Sequence, residues 1–228
     1  MSEIYIWKSR LSKDAYSMAD HTTYVAGDKD NLDPVVLGRW AALAKAYGVV
    51  IVVTNQGGYR SKSDQDELWE MYQAGKLQQT AARPYTSRHG LALAVDSSTP
   101  PFRRASSTTP VISEAVLNRY GLWHPYSKEP WHAEPIETKG LTFAQIKARL
   151  APVEIGAAFQ KKYGLAEKTL KFISGFRWAP ELVEKRMLSE GPLLLSEQTI
   201  DYLKDYPYWP ELKAKLNIAE MAGAQDQT

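Results

Sequence analysis

A chain of 228 residues that is 44% hydrophobic and 24% charged can bury one or two cores and is composed like a globular protein. Its formal net charge of +2 and pI near 8.6, with no basic run, argue against nucleic acid as a partner. Cysteine is absent, which excludes disulfides and thiolate metal sites, so any metal must be held by nitrogen and oxygen.

The opening Met1–Arg10 stretch lacks the apolar core of a signal peptide, so synthesis without a secretion signal is expected. Asp33-Pro34 reads as a helix start, an N-cap followed by proline at the first helical position. The spacing of Val36, Leu37, Trp40, Leu43 and Ala44 carries that helix to a C-cap at Gly48. Val49–Val53, an apolar run that no other exceeds in length, predicts a buried inner strand and is far too short to cross a membrane. A glycine-rich turn at Gly57–Ser61 precedes a helix through Leu68, Met71 and Tyr72 to Gly75. Ser97–Pro110 reads as a polar loop in which Arg103 and Arg104 face solvent. A helix from Ser113 to about Tyr120 closes at Gly121, and Trp131–Glu134 reads as a strand. The pattern over 1–150 is α+β with a small sheet.

Beyond Thr142 no further strand signal is read, and 151–221 is expected to be an all-α region. It contains a repeat offset by thirty residues: Thr169–Leu182 matches Thr199–Leu212, pairing Leu165 with Leu195, Glu167 with Glu197, Phe176 with Tyr206 and Lys185 with Lys215. Each copy reads as a helix, an aromatic turn, and a second helix opened by Pro180 or Pro210. Residues 222–228 are expected to form a disordered tail.

Two stretches carry the chemistry, Ser87–Asp96 and Glu129–Glu134. They offer His89, Asp96 and His132 as three metal ligands with Glu129 as a spare acid, the set a hydrolytic zinc site needs. His89 and Asp96 are separated by an odd interval, which places them on opposite faces of a regular strand. They converge only if the chain bends, and Gly90 is the expected bend, with Leu91–Val95 as a strand after it. Pro130 disfavours helix at Glu129, so that residue is expected to approach from a turn. An extended His132 and Glu134 share a face, making Glu134 either a rival base or a partner that orients the histidine. His21 and His124 read as satisfied polar residues.

The pattern Ser-x-His-x-x-x-x-Ala-x-Asp followed by Glu-x-x-His resembles the zinc peptidases of peptidoglycan stem peptides. That family holds D-alanyl-D-alanine carboxypeptidases and L-alanyl-D-glutamate endopeptidases, including bacteriophage endolysins. The Gly58-Tyr-Arg-Ser61 turn with Gln65, and Tyr120-Gly-Leu122 ahead of Glu129, match further blocks of the same family. The resemblance covers roughly the first 140 residues. One departure is Ala92, which stands where the family usually has glycine.

The resemblance implies a hedgehog-like or D-Ala-D-Ala-peptidase-like fold, a small antiparallel sheet with flanking helices. It implies zinc on His89, Asp96 and His132, Glu129 as general base and then acid, and Arg60 as the cation that steadies the carbonyl oxygen. Ser87, Tyr59 and Trp131 are the candidates for substrate contact, although Trp131 equally suits the core and Tyr59 equally braces its turn. The implied partner is bacterial peptidoglycan, reached by a phage-delivered lysin or virion protein, with cleavage of the L-Ala-D-Glu bond favoured over removal of terminal D-alanine. Phe159–Leu165 is faintly similar to helical peptidoglycan-binding modules, so the C-terminal region is open to binding wall, virion or a second copy of itself. A wall-binding or virion structural protein with a purely structural zinc site is the alternative from another class.

Overall fold

The computed structural model describes residues 5–17, 19, 21–77, 81–98, 112–126, 129–174, 179–188, 191–195 and 197–220. Most of the expected Ser97–Pro110 loop, with Arg103 and Arg104, lies outside them, as do Phe176, Trp178 and the 222–228 tail. The chain divides into two compact units, one spanning Trp7–Val153 and the other joining the segment that ends at Ile6 to Glu154 and beyond. The boundary at Val153 falls close to the expected residue 150, and the segment before Trp7 belongs with the second unit. Ile6 is 2% exposed within the second core, and the Ile155 N–H donates to its carbonyl at 2.9 Å.

In the first unit a short strand β1 (Val25–Gly27) leads into α1 (Pro34–Tyr47). The Asp33 carboxylate caps α1, accepting from the N–H groups of Val35 at 2.8 Å and Val36 at 3.3 Å. Gly48 ends the helix in the left-handed conformation, as the sequence predicts. Every residue from Val35 to Ala41 is buried, so α1 is the spine of the core rather than an amphipathic surface helix. β2 (Ile51–Val53) pairs in parallel with β1. The expectation of a strand covered on both faces is corrected here: Ile51 and Val53 point into the core, whereas Val52 is 40% exposed. A short apolar run does not reveal whether a second layer covers it.

α2 (Lys62–Gln73) starts at a capping box between Ser61 and Asp64. Three short strands, β3 (Val95–Asp96), β4 (Leu122–Trp123) and β5 (His132–Pro135), form an antiparallel sheet with β5 in the middle. α3 (Glu114–Arg119) runs into β4, and α4 (Phe143–Arg149) follows the sheet with Ile146 fully buried. The unit is thus mixed helix and sheet. Arg39 on α1 pins its base: the guanidinium forks onto Glu137 through two 2.7 Å bonds and also meets Asp14 and the Gly121 carbonyl. Arg39 itself is buried, and breaking such a network leaves an uncompensated charge.

The second unit holds α5 (Gly156–Tyr163), α6 (Glu167–Ser174), α7 (Ala179–Leu188), α8 (Glu197–Lys204) and α9 (Trp209–Lys215). The thirty-residue repeat is a packing pattern: Leu170 and Ile200, Ile173 and Leu203, and Leu182 and Leu212 are buried in both copies. Pro180 and Pro210 open their helices as expected. The region is not all-α, however. β6 (Leu193–Leu195) pairs in parallel with β7 (Ile218–Glu220), Leu193 opposite Ile218. Three-residue strands whose partner is distant in sequence leave no local period to read. Among the described residues no helix is long and apolar enough to cross a membrane.

Burial pushes the Asp33 carboxyl up to about 6, against the hydrogen bonds it accepts from Ser9, Val35 and Val36. A raised carboxyl favours the fold while it is protonated, and that contribution is lost as pH rises from about 4, where the unfolded chain ionises, through about 6. At about 1.4 kcal/mol per pH unit, the loss is about 3 kcal/mol. Asp33→Asn keeps an acceptor oxygen but cannot ionise, so its stability relative to the parent rises by about that amount between pH 4 and pH 7 in urea denaturation.

Candidate metal centre

The centre is assembled by backbone ties between three separate stretches. β3 and β5 pair so that Asp96 lies directly opposite His132, and Val95 opposite Ala133. The turn after β2 is stitched to the same strand: the Asp96 N–H donates to the Gly57 carbonyl at 2.8 Å, and the Thr54 N–H to the Asp96 carbonyl at 2.9 Å. The Arg60 N–H in turn donates to the His89 carbonyl at 3.2 Å. This close approach requires glycine, because a Cβ on Gly58 would stand 2.0 Å from the Asp28 carbonyl oxygen, and one on Gly57 2.9 Å from that of Asp96.

The bend between His89 and Asp96 exists, but not where the sequence suggests. His89–Leu91 forms a single 3-10 turn, and the residue that takes the left-handed conformation is Ala92, at φ 59°. Gly90 has no positive φ, and a Cβ there would meet only the Arg60 carbonyl oxygen at an ordinary 3.7 Å. Ala92 through Val95 are all buried, and only Val95–Asp96 is strand. Packing of this segment, together with the Asp33 N–H bond to the Ala92 carbonyl at 3.0 Å, holds alanine where glycine would sit without strain.

His89, Asp96 and His132 converge, with one donor atom from each lying within 4.8 Å of the others, and they can hold a metal ion. The outward nitrogen of each histidine is already occupied. His89 Nδ1 is 2.9 Å from the Gly58 carbonyl oxygen, which can only accept, so that nitrogen carries the proton and Nε2 faces Asp96 Oδ1 at 3.5 Å. His132 Nε2 lies 3.2 Å from Glu134 Oε1, leaving Nδ1 to face Asp96 Oδ1 at 2.8 Å. Burial pulls His89 below the usual histidine range. Burial also opposes charge on Asp96, but the two imidazoles hold its carboxyl well below the usual carboxylate range. For His132 burial is outweighed by hydrogen bonds to Asp96 and Glu134, which push it up to about 9. A protonated His132 donates one N–H to each carboxylate, and a cation would replace the proton on Nδ1, the Asp96 side. The donor set and the partners on the outer nitrogens therefore both fit a metal.

Glu129 sits in a turn, not a helix: its N–H donates to the Tyr126 carbonyl, and its carbonyl accepts from the His132 N–H at 2.9 Å. With Arg60, Ser87 and Trp131 it lines the same cleft as the three ligands, a cavity of about 900 Å³. The Arg60 guanidinium is steadied by the Gln56 carbonyl and by Gln65 Oε1 at 3.0 Å, and burial lowers its pKa. Tyr59 does not line the cleft. Its ring packs on Trp7 at 5.9 Å, which suits the alternative of a brace for the turn. His124 is likewise satisfied outside the cleft, with Nδ1 2.7 Å from the His132 carbonyl oxygen.

Two cleft residues escaped the sequence reading. Arg88 stands between Ser87 and His89, and Tyr126 lies three residues before Glu129. No spacing rule points to either. Strand parity did expose Glu134, which the structure places as the orienting partner of His132. Neither family models nor curated proteins give a match to this chain.

His132→Ala is expected to lower zinc or cobalt affinity by more than about 100-fold, beyond what loss of an outer partner costs, as read by competition with a chromophoric chelator. Glu129→Ala binds the ion as the parent does. Gly58→Ala forces backbone apart and costs about 1–3 kcal/mol, whereas Gly90→Ala stays within about 0.5 kcal/mol of the parent in thermal or urea unfolding. Equal tolerance at both glycines would contradict the geometry of the turn.

Proposed function

We propose that the chain is a zinc-dependent peptidase of peptidoglycan stem peptides, with the L-Ala-D-Glu bond as the favoured target. The observation that carries this reading is a nitrogen- and oxygen-only donor cluster sharing one cleft with a separate carboxylate, Glu129, and a fixed cation, Arg60. A zinc ion held by His89, Asp96 and His132 would supply Lewis acidity, lowering the pKa of water to about 7 and polarising a peptide carbonyl.

Glu129 takes a proton from the attacking water as its oxygen bonds to the carbonyl carbon. As the C–N bond breaks, Glu129 returns that proton to the departing amine nitrogen. Arg60 steadies the charge that builds on the carbonyl oxygen; a cation held in place beforehand needs no reorganisation as the charge develops. Trp131 and Ser87 contribute to the walls that orient the peptide, and the cavity is of a size that takes a ligand of a few residues. The stem-peptide substrate rests on the sequence blocks around Arg60, His89 and His132 and their resemblance to wall peptidases.

Glu129→Ala is expected to lower wall hydrolysis by about 10²–10⁴-fold while the ion stays bound. The measurement is digestion of purified peptidoglycan with mass spectrometry of the newly formed amino termini. Cleavage by Glu129→Ala at the parent's rate would sink the mechanism. Release of D-alanine alone would move the activity to a carboxypeptidase.

A further inference from the structure

Glu134 is the one carboxylate of the centre with no solvent exposure at all, and it makes three polar contacts. Oε1 holds His132 Nε2 at 3.2 Å, and Oε2 accepts from Thr138 Oγ1 at 2.8 Å. The third is the charge opposite it: Arg88 Nε stands 2.8 Å from Oε2, an ion-pair distance, although its N–H is not aligned for a hydrogen bond. Thr138 Oγ1 is in turn held by Trp123 Nε1 at 2.8 Å, so that side of Glu134 is fixed by neutral donors. A buried carboxylate with neutral donors alone is costly, and one removed from its cation more so.

Arg88 also reaches across the cleft mouth. Its Nη1 donates to the Tyr126 hydroxyl at 3.1 Å, and the Tyr126 ring lies 5.4 Å from the His132 ring. His132 is therefore bounded by Glu134 at Nε2, by Asp96 at Nδ1 and by Tyr126 beside the ring, and Arg88 touches two of these three neighbours.

We propose that Arg88 is a positioning residue for the metal centre: it balances and orients Glu134, which fixes the His132 ring with Nδ1 turned towards the ion. Arg88 acts through Glu134 and does not itself touch the metal. The inference rests on the metal reading of His89, Asp96 and His132 but not on the reaction assigned to them.

The test uses the full chain and Co²⁺ as probe, with affinity read by chelator competition and ligand geometry by visible absorption. Arg88→Met keeps an unbranched stem that reaches about as far as Nε and removes the charge. It is expected to weaken Co²⁺ binding by about 10–100-fold and to alter the absorption bands, while Arg88→Lys restores most of both. Because Arg88→Met strands a buried charge, a second pair keeps the test sound if it fails to fold. Glu134→Gln removes that charge, and in this background Arg88→Met should change affinity by less than about twofold, since the partner through which Arg88 acts is already gone. Full parental affinity and spectrum in Arg88→Met would overturn the proposal. So would equal losses from Arg88→Met in the parent and Glu134→Gln backgrounds, which would place Arg88 on another path. A parent that binds Co²⁺ tightly yet cleaves no wall would defeat the peptidase reading and leave this one standing.

Discussion

The cross-strand pair of Asp96 and His132 is the constraint from which the rest of the centre follows. Its register is pinned from the opposite face, where Val95 and Ala133 stand opposite each other and are buried in the core. A slip of one residue would turn the slipped strand's apolar side chain out and its ligand in, so hydrophobic burial enforces the polar geometry. His89 then needs only to be brought up to this pair, and the Gly57–Arg60 turn does so by bonding to Asp96 at one end and to His89 at the other. Arg60 and the three candidate ligands are positioned by the same few peptide groups.

How far this was legible in the sequence depends on the range of the interaction concerned. Caps and turns are local, and Asp33, Gly48, Ser61 and Ser113 fall where their chemistry predicts. The turn at Glu129 was also legible, because Pro130 restricts its predecessor directly. Strand parity correctly required a bend between His89 and Asp96, but choosing Gly90 for it assumed that the most permissive residue does the bending. The position is set instead by burial of Ala92–Val95, which tertiary packing decides. Tyr59 was left between two readings, and Arg88 and Tyr126 were missed, for one reason. Their roles depend on Trp7, Glu134 and His132, partners that no spacing rule connects to them.

The centre also shows how a small unit accommodates several buried charges. Asp96, Glu134, Arg88 and the two histidines form one continuous set in which each ionised group faces a partner. Arg39, Glu137 and Asp14 do the same at the foot of α1. Groups arranged in this way are costly to remove singly, because each deletion leaves its partner buried without a counter-charge. Asp33 is different: its second oxygen is buried without a hydrogen-bond partner among the described residues, and burial shifts its carboxyl accordingly. Its own N–H also donates to the Ala92 carbonyl, so the cost is borne where the core joins the turn that carries His89.

The division of the chain at Ile6 and Glu154 bears on the order of events during synthesis. Trp7–Val153 is one uninterrupted stretch, so the core around α1 and the ligand-bearing strands can close as soon as that stretch has emerged. Ile6 leaves the ribosome ahead of that stretch, yet the core it belongs to is built from Phe159 through Ile218. At about 5–20 residues per second, its partners arrive on the order of ten seconds or more after it does. The unit that carries the candidate metal centre is therefore free to fold co-translationally, while Ile6 waits for the helical repeat that completes its core.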